Sequence, residues 1–530
     1  MTFWRPASVR DNKFAYRFFS EPYTVVELKY MHVLCEVLAK PSWWTKMKDT
    51  AILAKWKTES TLSENDFAFL VGELKWITMQ SHLDDPLQRD HIIPLPVHGV
   101  FTTDILVGSD LLQAIQTHTA PAEAAARQRG DFHPNSNDQV LDIVHPSFYC
   151  AVNGRTRISQ DRNALLGNEV LQWAPSDVYD VSNKFQWLPS PVVVDPATGQ
   201  ATFQSYINNL HPTTHEALYT GLNGLFTVML PLFERCLGSG DVEPTTRIGH
   251  IDMNKSCPEP GHHGGGARRR RRCVLGLLQQ LVRSIPSAAA STHNAITFDY
   301  KPPTIQPVSL KGRELQVIVK IASIELTPDK PKYAGGSWHM EGMTNESIAA
   351  TGILYYDCVN ITTSKLAFRH AFDQEYEFDY PQSEHHGINA VYGIHNDESD
   401  NTQELGHVQA LTGRCVVFPN FMQHCVAPFE LADPTQPGHR KIVCFFLVNP
   451  DHSILSTANV PPQQEEWAMG ALEETLGGSL PDVALQSIGG IAGLMSHDEA
   501  KAFMRALMDE RKESSVFSKY LTETISLCEH

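Results

Sequence analysis

The chain has 530 residues, with 43 Lys and Arg against 60 Asp and Glu, and a formal net charge of −17. A content of 42% hydrophobic and 19% charged residues is typical of a folded globular protein and argues against a disordered one. The acidic balance disfavours nucleic acid and anionic membranes as partners, because binding either normally requires surplus Lys and Arg. We therefore expect a small-molecule or peptide substrate and neither a nucleic-acid nor a membrane partner.

The ten cysteines are scattered without a CxxC pair, so we interpret them as reduced thiols rather than a disulfide framework. The segment from Met1 to Pro6 lacks the apolar core of a signal peptide. No stretch reaches the roughly eighteen apolar residues that a membrane span requires. These features predict a soluble intracellular protein in the cytoplasm, with the nucleus as the alternative.

The first 140 residues are predicted to form a helical N-terminal region. Residues 25–39 and 64–79 repeat apolar side chains at helical spacing, the second run following the suitable N-cap Ser63. An Ala-rich helix is predicted over residues 120–128. Residues 141–237 are predicted to be a mixed α/β region packed on the core, with short strands and a long helix over residues 215–236.

Residues 238–275 differ most in composition from the rest of the chain, with glycine-rich stretches and an arginine run at 268–272. Low complexity and clustered like charge favour a disordered surface insertion. Two functional interpretations are a nuclear-import or polyanion-binding patch and a metal site. The metal site would use Cys257, His262, His263 and Cys273, although their spacing matches no common zinc pattern.

Short strand-like runs follow one another from residue 314 and define a predicted core over residues 300–455. These runs are 315–324, 338–341, 351–357, 366–372, 409–418, 424–429 and 441–448. Such regular strands between turn residues are typical of an all-β barrel or sandwich, and a jelly roll has this spacing. A C-terminal region, residues 456–530, returns to helices at 465–475 and 497–512. We predict an α+β fold: a double-stranded β-helix (jelly-roll, cupin-like) core wrapped by N- and C-terminal helices.

Three residues of this core, His339, Glu341 and His424, form a candidate metal site. Two histidines and one carboxylate, with coordination positions left open, are the ligand set of non-haem Fe(II) oxygenases. Alternate side chains of a strand share a face, so a strand over 338–341 would point His339 and Glu341 into one cavity. His424 would then face the same interior from another strand.

Arg440, which is predicted to begin the last strand, is a candidate for binding the far carboxylate of 2-oxoglutarate. A guanidinium group binds carboxylates in a planar, two-pronged manner. Tyr355 and Tyr356 have two interpretations of equal weight: one of them hydrogen-bonds the cosubstrate, or both pack in an aromatic core. His439 has the opposite strand parity to Arg440 and is expected to face away from the metal.

Several longer motifs of the chain resemble the fungal family of domain of unknown function 4246. In the core they are YAGGSWHMEG (333–342), ATGILYYD (350–357), NIT (360–362), FPN (418–420), LADPT (431–435) and PGHRKI (437–442). Earlier ones are HPNSN (133–137), HPS (145–147) and SYINNLHP (205–212). The resemblance extends over nearly the whole chain, with the 238–272 segment as a departure. It implies a jelly-roll, oxygenase-like core inside a larger helical wrapping.

Together these features predict a dioxygenase that uses Fe(II), O2 and 2-oxoglutarate to hydroxylate, desaturate or cyclise at a C–H bond of a small metabolite or amino-acid-like substrate. A JmjC-like protein hydroxylase or demethylase is a rival hypothesis. Such enzymes usually anchor 2-oxoglutarate with a lysine on a middle strand, and residues 351–357 contain none. Two further hypotheses are a non-catalytic jelly-roll binding protein and an iron oxygenase that needs no 2-oxoglutarate.

Overall fold

A computed structural model describes residues 21–85, 91–161, 164, 166–177, 181–240, 242, 244, 304–372, 378, 385–476, 493–513 and 524–527. Most of the predicted insertion, including the arginine run and the candidate metal ligands Cys257, His262, His263 and Cys273, lies outside the described residues. Within the described part of the chain, every helix is too short or too polar to cross a lipid bilayer.

Six of the described α-helices match predicted helical segments with shifted ends, whereas Trp43–Lys46, Thr50–Ser60 and His386–Tyr392 were not predicted individually. The described α-helices span Val25–Leu38, Trp43–Lys46, Thr50–Ser60, Glu64–Gln80, Ser109–Arg129, Glu216–Ser239, His386–Tyr392, Glu465–Leu476 and His497–Glu513. The prediction for residues 120–128 was wrong about the start, because Pro121 resembles a first-turn proline but lies inside the helix Ser109–Arg129. Ile115 precedes Pro121 in this helix and is fully buried in the core. Its burial stabilises the turns of the helix that come before the proline.

The strands form two main antiparallel sheets. In chain order they are β1 Ile93–Pro94, β2 Phe101–Thr103, β3 Val140–Val144, β4 Ala151–Val152, β5 Arg157–Ile158, β6 Glu169–Val170, β7 Phe185–Gln186, β8 Ser190–Val194, β9 Ala201–Phe203, β10 Glu314–Leu326, β11 Lys332–Tyr333, β12 Ile348–Val359, β13 Lys365–Ala371, β14 Thr402–Gln409, β15 Cys415–Pro419, β16 Gln423–Val426, β17 Phe429–Glu430 and β18 Gly438–Val448. The large sheet has the order β1-β2-β15-β12-β18-β10-β8-β9, with β3 also paired to β10. The small sheet has the order β14-β13-β16. The protein is thus a mixed α/β structure with antiparallel sheets.

The large sheet buries both of its faces. On one face, alternate residues such as Val317 and Phe445 pack against Phe226 of the helix Glu216–Ser239. On the other face, Ile318 and Phe446 belong to a core that also contains Phe368 of the small sheet. Successive side chains of a strand point to opposite faces, so each of these strands contributes to both cores. Because both faces are buried, the sequences of the strands are continuously apolar.

Two strand predictions were wrong at the point where the chain changes sheets. Residues 338–341 do not form a strand; only His339 makes an isolated bridge, and the chain bends at Glu341. The predicted strand at 409–418 is too long at its start, because only Cys415–Pro419 forms β15 of the large sheet and residue 409 ends β14 of the small sheet. The turn at Gly413, whose φ is +88°, lies between the two strands.

The helix Val25–Leu38 lies on the outer side of the small sheet. Glu36 on this helix contacts Lys365 of β13 at 2.5 Å and His407 of β14 at 3.3 Å, Oε1 to nitrogen in both cases. The hydrogen bond to His407 is the main cause that lowers the pKa of Glu36 to about 2. The N-terminal helices are thus fastened to the small sheet by charged as well as apolar contacts.

Gly352 on β12 is expected to be intolerant of a side chain. A Cβ there would lie 2.6 Å from Phe233 Cζ and 2.8 Å from Met229 Cε, both in the fully buried contact with the helix Glu216–Ser239. Gly352→Ala should lower the free energy of unfolding by about 1–3 kcal/mol through overpacking, measured by urea denaturation. Gly470→Ala is the control, because a Cβ at that exposed helix position meets nothing and should raise stability by up to about 1 kcal/mol.

Candidate metal centre

His339 and His424 are held opposite each other by their own backbones. The amide of His339 donates to the carbonyl of His424 at 3.1 Å, and the amide of His424 donates to the carbonyl of His339 at 3.0 Å. Residues that exchange both hydrogen bonds in an antiparallel pair project their side chains from the same face. The imidazole centroids accordingly lie 4.4 Å apart.

Glu341 completes the group from the bend that follows His339. Its Oε1 lies 3.7 Å from His339 Nε2 and 3.4 Å from His424 Nε2. Asn420 fixes this bend, because its side-chain amide accepts from the Glu341 amide at 3.2 Å and donates to the Glu341 carbonyl at 2.9 Å. The prediction that His339 and Glu341 share a face because they alternate along a strand was wrong. A bend held by Asn420 brings their side chains together instead.

The protonation states around this group are compatible with metal binding. His339 Nδ1 lies 2.8 Å from the carbonyl of Ser337, an acceptor, so Nδ1 carries the proton and the lone pair is at Nε2. Burial is the main cause that lowers the pKa of His424, and the lowered pKa favours a neutral ring. Burial alone would raise the pKa of Glu341, but the two histidines lower it well below its usual range.

The donor set fits a first-row transition metal ion such as Fe(II). The ligand atoms of His339, Glu341 and His424 all lie within 4.8 Å of one another. Ligands at about 2.1 Å from one ion are separated by roughly 3.0–3.4 Å, close to the two distances from Glu341. The side chain of His339 is 47% exposed whereas that of His424 is 4% exposed, so the group opens toward solvent on the His339 side.

Arg440 is buried in the core between the two sheets. The residue is 2% exposed, and among the described residues no carboxylate lies within ion-pair distance of it. Its Nη2 donates to Tyr355 Oη at 3.3 Å, its guanidinium lies 4.9 Å from the Tyr355 ring centre, and its Nε has no hydrogen-bond partner among the described residues. A buried cation is costly without a compensating negative charge, which makes Arg440 a candidate anion-binding residue.

The two tyrosines that the sequence left undecided point to opposite sides of the large sheet. Tyr355 lies in the core between the sheets, beside Arg440. Tyr356 lies in the core beneath the helices, and its backbone carbonyl accepts from Gln116 of the helix Ser109–Arg129. Of the pair, only Tyr355 contacts Arg440. His439 has the opposite parity, as expected, and its Nε2 contacts Asp357 at 2.7 Å.

Lys320 on β10 is a further charged residue near the candidate site that was not predicted from the sequence. It shares the inner face of the sheet with Ile318 and is paired across the strands with Cys444. Burial lowers its pKa, but the negative charges of Glu341 and Asp142 raise it above the usual value for lysine. Lys320 could have been noticed in the sequence as the one lysine within the Val- and Ile-rich strand predicted at 315–324.

Comparison with known proteins identifies a family but no characterised relative. A family model described as "Protein of unknown function (DUF4246)" matches residues 64–471, and one described as "Domain of unknown function DUF4246, N-terminal" matches residues 4–59. No curated protein matches the chain.

Two solved structures are similar at low identity. One is titled "Crystal structure of IDO from Bacillus thuringiensis", with 10% identity, a TM-score of 0.16, and coverage of 26% of this chain and 46% of that chain. This chain therefore spans less than half of that protein. The other is titled "Selenomethionine labeled Fe(II)/(alpha)ketoglutarate-dependent dioxygenase TqaL", with 12% identity, a TM-score of 0.22, and coverage of 63% and 89%.

Proposed function

The chain belongs to the DUF4246 family. We propose that it is a non-haem Fe(II)- and 2-oxoglutarate-dependent dioxygenase. The family description states no activity, so the proposal rests on the residues of this chain. The observation that carries it is the convergence of His339, Glu341 and His424 beside a core that holds the unpaired cation of Arg440. The substrate we propose is a small metabolite or an amino-acid-like compound, oxidised at a C–H bond.

The proposal includes a double-stranded β-helix as the core of the fold. From β10 onward the chain alternates between sheets: β10 and β12 in the large one, β13 and β14 in the small one, then β15, β16 and β18 in alternation. His339, which lies between β10 and β12 in chain order, makes an isolated bridge to His424 of β16 and so extends the small sheet by one residue pair. This alternation, with the order β15-β12-β18-β10 facing β14-β13-β16, supports the assignment.

The site residues have distinct roles in this proposal. His339, Glu341 and His424 would hold the ferrous ion, which with O2 and 2-oxoglutarate supplies the oxidising chemistry when bound. Arg440 and the Tyr355 hydroxyl would bind the far carboxylate of 2-oxoglutarate. Arg440, with Lys320 nearby, would supply the positive charge that favours binding of the 2-oxoglutarate dianion. The apolar core between the sheets keeps water away from the bound cosubstrate.

The structure gives no support to a lysine anchor of the JmjC-like kind on β12 or β13. β12 contains no lysine, and Lys365 on β13 contacts Glu36 on the helix Val25–Leu38, outside the small sheet. Arg440, in contrast, extends from β18 into the core between the sheets. These contacts favour the arginine-anchored type.

The proposal is tested with purified protein, Fe(II) and 2-oxoglutarate. Under anaerobic conditions we expect a weak visible charge-transfer band that requires both additions, and in air we expect succinate release during a screen of metabolites. A protein that retains iron but gives no band and no succinate with any candidate would contradict a role for 2-oxoglutarate. A protein that retains no metal would favour a non-catalytic binding protein.

Tyr355 and Tyr356 provide a matched pair of variants. Tyr355→Phe removes the hydroxyl that accepts from Arg440 and should raise the KM for 2-oxoglutarate by about tenfold, with little change in folding. Tyr356→Phe changes the opposite face and should leave the KM unchanged. Steady-state succinate assays compare the two, and an equal effect of both substitutions would contradict the assigned role of Tyr355.

A further inference from the structure

A second cleft lies outside the metal-binding group, where the helix Ser109–Arg129, β3 and the start of the helix Glu465–Leu476 meet. It has a volume of about 100 Å³, and its wall includes Asp142, His145, Asn209, Gln464 and Trp467. None of its lining residues belongs to the group His339, Glu341 and His424. An engineered cavity of about 150 Å³ accepts benzene, so this volume suits a small head group.

Two buried side chains of the cleft present oxygens that accept no hydrogen bond. Asp142 is 3% exposed; its Oδ2 contacts His133 Nδ1 at 2.9 Å, and its Oδ1 has no partner among the described residues. Gln464 is also 3% exposed; its Nε2 donates to Asn208 Oδ1 at 3.4 Å, and its Oε1 has no partner there either. Buried acceptors in folded proteins normally have a donor, so this pair needs an explanation.

Asn209 adds a third acceptor of fixed orientation. Its Nδ2 donates to the carbonyls of His145 at 2.8 Å and Phe148 at 3.0 Å, which determines which end of the amide is the oxygen. The oxygen, Oδ1, is buried without a hydrogen-bond partner among the described residues. Three acceptors thus line one small cleft, and no cation of the described residues makes a hydrogen bond to any of them.

The charge of the cleft is negative. Asp131 is paired with Arg129 at 2.8 Å and with His497 at 3.0 Å, and Glu466 is exposed among the lining residues. Burial lowers the pKa of His145 to about 3, so this ring does not add a positive charge near neutral pH. Asp142 and Glu466 are the acidic lining residues not in the Asp131 pairs, and Lys320 on β10, which is not a lining residue, acts on the charge of Asp142.

We propose that this cleft binds an organic cation through a primary ammonium or guanidinium head group. Such groups offer three to five N–H donors, which match the free oxygens of Asp142, Asn209 and Gln464. The rings of Tyr149 and Trp467 also line the cleft and favour a cation with apolar substituents. The inference does not depend on the proposed oxygenase activity, since binding alone tests it.

A metal ion fits the same cleft less well. His133, Asp142 and His145 have ligand atoms within 4.8 Å of one another. However, His133 already contacts Asp142, and His145 Nδ1 accepts the backbone amide of Ser147 at 3.2 Å, which places the ring proton on Nε2. The free oxygens include two neutral amides, whereas Ca²⁺ and Mg²⁺ sites use six or more oxygens with carboxylates among them.

The test is isothermal titration of the full chain with n-butylammonium and methylguanidinium, against the uncharged butan-1-ol and N-methylurea. We expect saturable binding of at least one cation and none of its uncharged analogue. Asp142→Asn should weaken binding by about tenfold or more, because it removes the charge beside the donor. Asp329→Asn, which removes an exposed charge outside the cleft, should have no effect.

Gln464→Met is the second variant, because it removes a neutral acceptor and leaves the Asp142–His133 pair intact. It should weaken binding of the same cation by several-fold, with circular dichroism confirming that each variant is folded. Absence of saturable cation binding by the wild-type chain would overturn the proposal, as would wild-type affinity in the folded Asp142→Asn and Gln464→Met variants. Displacement of the organic cation by stoichiometric Mn²⁺ or Zn²⁺ would also overturn it, in favour of a metal site.

Discussion

Replacement of His424 by alanine is expected to abolish stable iron binding and to reduce succinate formation by more than about a hundredfold. The loss of an outer-shell partner alone lowers metal affinity 10–100-fold, and His424 is a direct ligand in the proposed site. Its side chain is buried, and alanine offers the ion no ligand atom in its place. Metal analysis after purification and the anaerobic visible band with 2-oxoglutarate measure the effect.

His439→Ala is the matched control for this experiment. His439 lies on β18 next to Arg440, but its ring pairs with Asp357 on the other side of the sheet. Removing it should leave iron content and succinate formation within about twofold of wild type, since surface substitutions away from the site have small effects. Iron retention by His424→Ala, or equal losses in both variants, would contradict the proposed ligand set.

Arg440→Met is expected to have opposite effects on function and on stability. Loss of the guanidinium should raise the KM for 2-oxoglutarate by about a hundredfold or more, because a buried charge-assisted pair with the far carboxylate is lost. The free energy of unfolding should remain equal or increase, since a buried charge without a counter-ion is replaced by an apolar side chain of similar length. Succinate kinetics and urea denaturation measure the two quantities.

Arg414→Met provides the contrasting control. Arg414 is 4% exposed and thus buried like Arg440, but it pairs with Asp104 at 2.6 and 2.7 Å and contacts the Gln409 carbonyl. Breaking this pair should lower stability by about 1–2 kcal/mol, because the hydrogen bonds to Asp104 are lost but its carboxylate is 38% exposed, while the KM for 2-oxoglutarate should stay unchanged. A larger loss of stability in Arg440→Met than in Arg414→Met would show that Arg440 is a structural residue and contradict its role as a cosubstrate anchor.

The parts of the fold that the sequence could predict are those set by local periodicity. The helices over Val25–Leu38 and Glu64–Gln80 and the strands β10, β12 and β18 have long apolar patterns, and their positions were predicted to within a few residues. The short strands were harder, because β2 and β3 are held by partners distant in sequence, and β1 joins the large sheet through its neighbour β2. Their pairing in the large sheet depends on tertiary contacts, which cannot be predicted from a short stretch of sequence.

At the candidate site, the grouping of His339, Glu341 and His424 was predictable, and the geometry that brings them together was not. The types and order of His339, Glu341, His424 and Arg440 suggest an oxygenase without a structure. The bend held by Asn420, and the approach of Lys320 from β10, depend on long-range contacts. The sequence could not decide between Tyr355 and Tyr356 either. Adjacent strand residues point to opposite faces, and only the tertiary structure determines which face borders Arg440.

The reciprocal backbone hydrogen bonds between His339 and His424 have a consequence for the apo-protein. Since the imidazoles are positioned by main-chain pairing and the carboxylate by Asn420, an ion is not required to gather the ligands. Chelation should therefore be reversible and leave the thermal unfolding transition nearly intact, unlike a zinc finger, which unfolds without its metal. Exchange for Mn²⁺ or Co²⁺ should likewise proceed in the native state, which makes the centre accessible to spectroscopic substitution.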